Sequence, residues 1–148
     1  MSPSPFSLDS VLNFRKRQEN LAQEQFVQAR IAEESAVKNL ENAEIEQGNL
    51  IRELDAEQKK GLFVQDLARF EDRIQYGKKQ IQLLKKTLQE KNKVTQRKRQ
   101  RLIEKSREFK TLDSLKEQQN KTWKDYLEKQ EAAMLDEIAI LHHDRKAN

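Results

Sequence analysis

Lys59-Lys60-Gly61-Leu62-Phe63 is the stretch at which this 148-residue chain has a reason to turn. Two lysines in a last helical turn complement the negative end of the helix dipole, and a glycine just beyond can take the left-handed conformation that closes a helix. Outward from it the breakers run out: the last proline is Pro5, and the other glycines are Gly48 and Gly77. A glycine inside a helix costs about 1 kcal/mol relative to alanine. Both lie in good helical pattern, so they read as soft spots or close-approach points rather than ends.

Reading back from the turn, apolar residues keep the 3,4 spacing of a helix that buries one stripe. The frame is Leu8, Leu12, Arg15, Glu19, Ala22, Phe26, Ala29, Glu33, Ala36, Leu40, Ala43, Gln47, Leu50 and Leu54, with ten of fourteen positions apolar against 35% in the whole chain. Repeated alanines allow close helix approach, while Glu19, Glu33 and Gln47 weaken the seam. Ser7 or Asp9 is the expected N-cap, after a flexible tip at residues 1–5. Forward from the turn the frame resumes as Phe63, Leu67, Phe70, Ile74, Gly77, Ile81, Leu84 and Leu88. It becomes polar at Lys91, Thr95 and Lys98, then recovers at Leu102, Phe109, Leu112, Trp123, Tyr126, Ala133 and Ile140.

The expected fold is therefore all-α, a long antiparallel two-helix coiled coil with a C-terminal helical overhang. Its first helix is expected over 6–60, a turn over 61–62, a longer helix over 63–141 and a disordered tail over 142–148. The composition agrees: 36% of residues are charged and 6% aromatic, a profile of long helices rather than sandwiches or barrels. The mean hydropathy of -1.03 would also suit a disordered chain, but disorder does not place apolar residues on a seam. With no cysteine, neither a disulfide framework nor a thiolate metal site is possible, which is compatible with a reducing compartment. Met1-Ser2-Pro3-Ser4-Pro5 is not the start of a secretory signal, and no apolar run approaches the ~20 residues of a membrane span. A soluble protein is expected.

Charge is unevenly placed. Residues 1–60 carry 8 Lys/Arg and 11 Asp/Glu, whereas residues 61–148 carry 21 and 14, so the two arms attract each other. A turn at Gly61 sets facing residue numbers to sum to roughly 122. That register would bring Leu40 near Ile81, Phe26 near Thr95 and Leu12 near Phe109. It would also set Glu33 near Lys91, and Glu19 near Arg101 and Lys105, a pairing that penalises slipped registers more than it stabilises. The arms are unequal, and the first runs out opposite about residue 115. Beyond lie Trp123, Tyr126, Leu127, Met134, Leu135, Ile138 and Leu141, and an apolar helical face without a partner marks an interface.

Other features carry less. Lys78 to Lys110 holds 13 basic and 3 acidic residues, including Arg97, Lys98, Arg99 and Arg101. Clustered cations suit a phosphate backbone, but no aromatics lie between them to stack bases, so a solvated or protein-facing coil is the preferred reading and nucleic acid is disfavoured. His142 and His143 are adjacent, which on a helix points them about 100° apart and suits a shared metal poorly. There is no P-loop, nucleophile elbow or other catalytic motif, so no catalytic, cofactor or metal site and no small-molecule substrate is expected.

Two end motifs carry a resemblance. Phe6, Leu8, Val11, Leu12, Phe14 and Arg15, followed by Glu19, Ala22 and Ala29, resemble the Phe-x-Leu-x-x-Val-Leu-x-Tyr-Arg opening and alanine-rich coil of the flagellar export protein FliJ family. Glu128, Gln130, Glu131, Leu135, Asp136, Glu137, Ile138 and Ala139 resemble that family's closing Glu-Gln-Lys-x-Leu-Asp-Glu-x-Ala pattern. The resemblance spans essentially the whole chain. It implies a noncatalytic antiparallel coiled-coil stalk that enters the hexameric flagellar export ATPase, promotes its assembly and activity, contacts the membrane export gate and takes part in export-chaperone traffic. The implied location is cytoplasmic, peripheral to the flagellar basal body at the inner membrane.

Carried onto this chain, the resemblance implies an ATPase-binding end made by Leu8, Val11, Leu12 and Arg15 beside Gln130, Glu131, Leu135, Asp136 and Glu137. Trp123 and Tyr126 of the overhang join that set. It implies a gate-binding surface around Leu40, Ala43, Gln47, Leu50, Phe70, Ile74, Gly77 and Ile81. Family members often carry aromatics on that face of the first helix, and this chain has none between Phe26 and Phe63. The stalk proteins of virulence type III secretion share the architecture, and the end motifs favour the flagellar branch. Two other readings stand beside it: a basic coiled-coil nucleic-acid-binding protein, and a structural coiled-coil dimer.

Overall fold

The computed structural model of the protein describes residues 8–147, so the expected tip at 1–5, Phe6, the candidate cap Ser7 and Asn148 lie outside the described residues. Two helices account for nearly all of them, α1 over Asp9–Lys60 and α2 over Val64–Ala147, packed against each other as an all-α hairpin. Local chemistry sets the ends. The carbonyl of Leu8 accepts the Leu12 amide at 2.9 Å, so Leu8 is the residue from which α1 starts. Asp9 sits inside the first turn, where its carboxylate complements the helix dipole instead of capping. Gly61 has a φ of +94°, which only glycine adopts without strain, and it ends α1 after Lys59 and Lys60.

Two boundaries differ from the sequence reading. The Phe63 carbonyl accepts the Asp66 and Leu67 amides at 3.0 Å each, so α2 begins at Val64 and Phe63 belongs to the turn. Expected in the seam, Phe63 is 82% exposed. At the far end α2 continues past Leu141 through His142 and His143 to Ala147, with Arg145 and Lys146 in the last turn, so the segment expected to be disordered is helical that far. Nothing there breaks a helix, and the cations complement its negative end.

The chain divides into two compact units, one joining the residues up to Asn20 with those from Glu104 onward, the other running from Leu21 to Ile103. In the second unit the buried apolar residues are Ala22, Ala29 and Ala36, one every seven residues. Thr95 is the buried polar residue, with its hydroxyl 3.3 Å from the Ala29 carbonyl and 3.1 Å from that of Lys91. A small side chain on one helix lets a short polar one on the other reach the opposing backbone. Leu40, Leu50, Leu67, Phe70, Ile74, Ile81 and Leu84 flank the line half-buried. Adhesion is thus distributed: a fully buried Leu or Phe contributes about 1.5–3 kcal/mol, and these contribute fractions of it over many layers.

Facing residue numbers in this unit sum to about 124, shifted from the expected value. As a result Phe26 meets the Arg99 guanidinium, 5.6 Å from the ring centre, and Thr95 meets Ala29 instead. Glu33 is met by Asn92 at 3.2 Å, not by Lys91. A 3,4 pattern tolerates such a shift because each seam position has a neighbour three or four residues on; contacts of single side chains decide between registers.

In the terminal unit Leu12 is buried, Arg15 Nη1 lies 2.9 Å from Glu108 Oε2, and Lys116 Nζ lies 3.2 Å from Asp9 Oδ1. The Lys16 ammonium sits 4.8 Å from the centre of the Phe109 ring. The expected approach of Glu19 to Arg101 and Lys105 does not form: Glu19 takes Lys16 at 2.7 Å on its own helix, and Lys105 takes Glu108 at 3.4 Å. Part-exposed pairs such as Arg15–Glu108 contribute at most about 1 kcal/mol each, but they tie the start of α1 to one place on α2.

Candidate partner-binding surfaces

With Asp9 opposite Lys116, no described residue of α1 faces the remaining turns of α2. Those 31 residues extend about 46 Å at 1.5 Å per residue. From Leu127 to Lys146 every residue is exposed, including Leu127, Met134, Leu135, Ile138, Ile140 and Leu141. Trp123 and Tyr126 stack with ring centres 5.7 Å apart, and Gln130 Nε2 donates to the Tyr126 hydroxyl at 3.0 Å. An i,i+3 aromatic pair braced from i+7 holds its rings against the helix as a pre-ordered apolar surface. Angular positions at 100° per residue put Trp123, Leu127, Met134, Ile138 and Leu141 on one face. Leu135 and Glu131 lie at its edge.

The expected juxtaposition of the two chain ends is absent. Arg15 is engaged by Glu108 and Asp9 by Lys116, so Gln130, Glu131, Leu135, Asp136 and Glu137 lie at least 14 residues, or about 21 Å, beyond the start of α1. Instead Val11 and Arg15 line an open groove with Glu108, Thr111, Leu112 and Leu115. Leu8 and Val11 are part-exposed beside it, whereas Leu12 is spent in packing. The sequence reading thus merged two surfaces, a groove at the start of α1 and an apolar face on the free part of α2.

The eight residues set around the turn-proximal seam are all half-buried. Leu40, Phe70, Ile74 and Ile81 are packed into the seam. Ala43, Gln47, Leu50 and Gly77 also line a groove of about 430 Å³ completed by Arg73 and Tyr76. Gly77 is a close-approach point: a Cβ there would lie 2.9 Å from Gln47 Cδ and closer still to its Oε1. Gln47 Nε2 uses that space to donate to the Ile74 carbonyl at 2.8 Å. Tyr76, 65% exposed at the rim, is the aromatic that sequence reasoning missed. It lies one residue off the seam frame, the only signal that it points outward.

Two carboxylates are perturbed. The Lys16 hydrogen bond holds Glu19 below the ordinary carboxylate value; burial opposes it, and the Ser106 hydroxyl and Lys110 add smaller help. Glu33 is held down chiefly by the Thr95 hydroxyl, then by the Asn92 amide. Both are groups that stay ionised to keep a polar layer satisfied. Neither sits in an enclosed site, and among the described residues no three His, Asp or Glu side chains converge as a metal cage.

Paired helices with open grooves and one free apolar face define a helical hairpin that leaves surfaces open to partners. Compared with known families, residues 4–148 match the family described as "Flagellar FliJ protein", and the chain belongs to that family. It is thereby a noncatalytic component of the flagellar export apparatus, with partners in that apparatus. No individual curated protein and no solved structure matches it. Among the described residues no helix is long and apolar enough to cross a membrane.

Proposed function

We propose that the protein is the stalk of the flagellar type III export apparatus, seated by its terminal unit in the hexameric export ATPase. It promotes assembly and activity of that ATPase and couples it to the membrane export gate, with a part in export-chaperone traffic. The observation that carries this reading is the free apolar face of α2, headed by the stacked Trp123 and Tyr126 and continued by Met134, Ile138 and Leu141. An exposed apolar stripe on a helix with no neighbour is an interface by composition. The groove lined by Val11 and Arg15 offers a second contact in the same unit. Near the turn, Tyr76 and the groove beside Gln47 and Gly77 form the surface suited to the gate.

The test is addition of the full-length protein to the purified cognate ATPase, reading hexamer formation and ATP turnover. Both should rise with the native chain and should not rise with Met134→Asp/Ile138→Asp. Unchanged turnover with the native chain removes the reading.

A further inference from the structure

Between Lys78 and Arg101, α2 carries ten basic residues and a single acid, Glu90. The opposite net charges of the two arms draw them together. Within residues 21–103, however, the ion pairs among the described residues are Arg30–Glu34, Lys59–Asp55 and Arg69–Asp66, each within one helix and none using a cation of this stretch. Arg99 is occupied over the Phe26 ring. Lys98 is half-buried, and the remaining cations are exposed to solvent.

Their spacing is regular. Lys78 and Lys79 recur seven residues on as Lys85 and Lys86, and Lys86 recurs as Lys93, each step repeating the same outward direction about 10.5 Å further along the axis. Lys78, Lys79, Lys85 and Lys86 line one open surface with Leu83, which is 58% exposed at its edge. The stretch spans about 35 Å.

We propose that this face of α2 is a docking surface for an anionic phospholipid bilayer. Charge complementarity requires an anionic partner, and the choice among anionic partners follows from what else the face carries. Clusters of four to eight cations on a helix are attracted to acidic headgroups, and lysine stems can lay their methylenes along the interface while the ammonium reaches a phosphate. An exposed leucine at the edge of such a cluster enters the headgroup boundary, as it does in interfacial helices. Nucleic acid is the poorer fit, because no aromatic lies between Tyr76 and Phe109 to stack on a base. A partner helix is poorer still. It would need an apolar row at 3,4 spacing, whereas Leu83 is the sole exposed large apolar residue between Lys78 and Arg101. This inference is independent of the ATPase-stalk reading.

The experiment is co-sedimentation of the full-length protein with vesicles of phosphatidylcholine alone or containing phosphatidylglycerol, at about 0.1 M salt, where surface charge is still felt over about 10 Å. Retention is expected only on the anionic vesicles and should weaken as salt rises. Each lysine lost should weaken it about fivefold, so Lys79→Gln/Lys86→Gln should lower affinity about 30-fold. Lysine and glutamine have similar helix propensities, so circular dichroism should show unchanged helix content. Leu83→Ser should weaken binding without altering its salt dependence. Absence of retention on anionic vesicles, equal retention on phosphatidylcholine, or full binding by the double variant overturns the proposal. Preferential capture of duplex DNA through the same lysines would also overturn it, assigning the face to nucleic acid.

Discussion

Gly48 and Gly77 look alike in sequence and should respond oppositely to the same substitution. A Cβ at Gly48 would have the Arg52 guanidinium as its nearest neighbour at 3.6 Å, an ordinary contact, so Gly48→Ala should gain the full helix propensity of about 1 kcal/mol. For a domain of this size that raises Tm by about 3 °C. At Gly77 the new methyl lands on the Gln47 carboxamide, which must swing out and give up its hydrogen bond to the Ile74 carbonyl. That bond is worth about 1 kcal/mol net, so Gly77→Ala should leave stability nearly unchanged. In a Gln47→Ala background the obstruction is gone, and the same substitution should recover its gain of about 1 kcal/mol. Urea denaturation followed by helical circular dichroism measures all corners of this cycle. If Gly77→Ala stabilises the native chain as much as Gly48→Ala does, Gln47 does not occupy the notch and the reasoning fails.

Other consequences are open to measurement. Ala29→Leu, forced against Thr95 in the alanine line, should cost about 1–3 kcal/mol by overpacking, read as a lower midpoint in the same urea titration. Glu19 and Glu33 both have lowered folded values, so their contribution is fully present above the ordinary value of 4.5 and is lost as pH falls through the lowered ones. Melting temperature should therefore decline on acidification below that point, and Glu19→Gln/Glu33→Gln should flatten the decline. Ile138→Asp, on the exposed face, should stay within about 0.5 kcal/mol of the native stability yet abolish stimulation of the export ATPase, a separation that melting and turnover assays together would reveal.

Much of this architecture was legible because it depends on period and punctuation. The 3,4 frame located both helices, Lys59-Lys60-Gly61 located the turn, and the alanines at 22, 29 and 36 marked where the helices come close. What escaped depends on atoms rather than on period. Register moved because Thr95 can reach the Ala29 carbonyl and Arg99 can cover Phe26, and neither contact changes the hydrophobic pattern. Phe63 fitted the frame but was needed as a carbonyl to start α2. Tyr76 did not fit the frame and so went unread. The candidate sites were legible only as regions: the free face of α2 followed from unequal arm lengths, but its separation from the start of α1 required the Arg15–Glu108 and Asp9–Lys116 pairs.

The way the contacts nest has a kinetic consequence. The Gln47–Ile74 bond joins residues 27 apart in sequence, Asn92–Glu33 residues 59 apart, and Arg15–Glu108 residues 93 apart. Closing the last of these loops alone would cost about 1 kcal/mol more in chain entropy than closing the first. Folding should therefore proceed as a zip started at Gly61, with each layer shortening the effective loop of the next. Run backwards, the zip opens first at the end of α1, where Leu12 is the one buried apolar side chain and Asp9 and Arg15 add part-exposed ion pairs, so amide-exchange protection should fall from Leu50 toward Asp9. The least protected turns of α1 would then be those nearest the free face of α2, and a partner that gripped both would lock the zip shut.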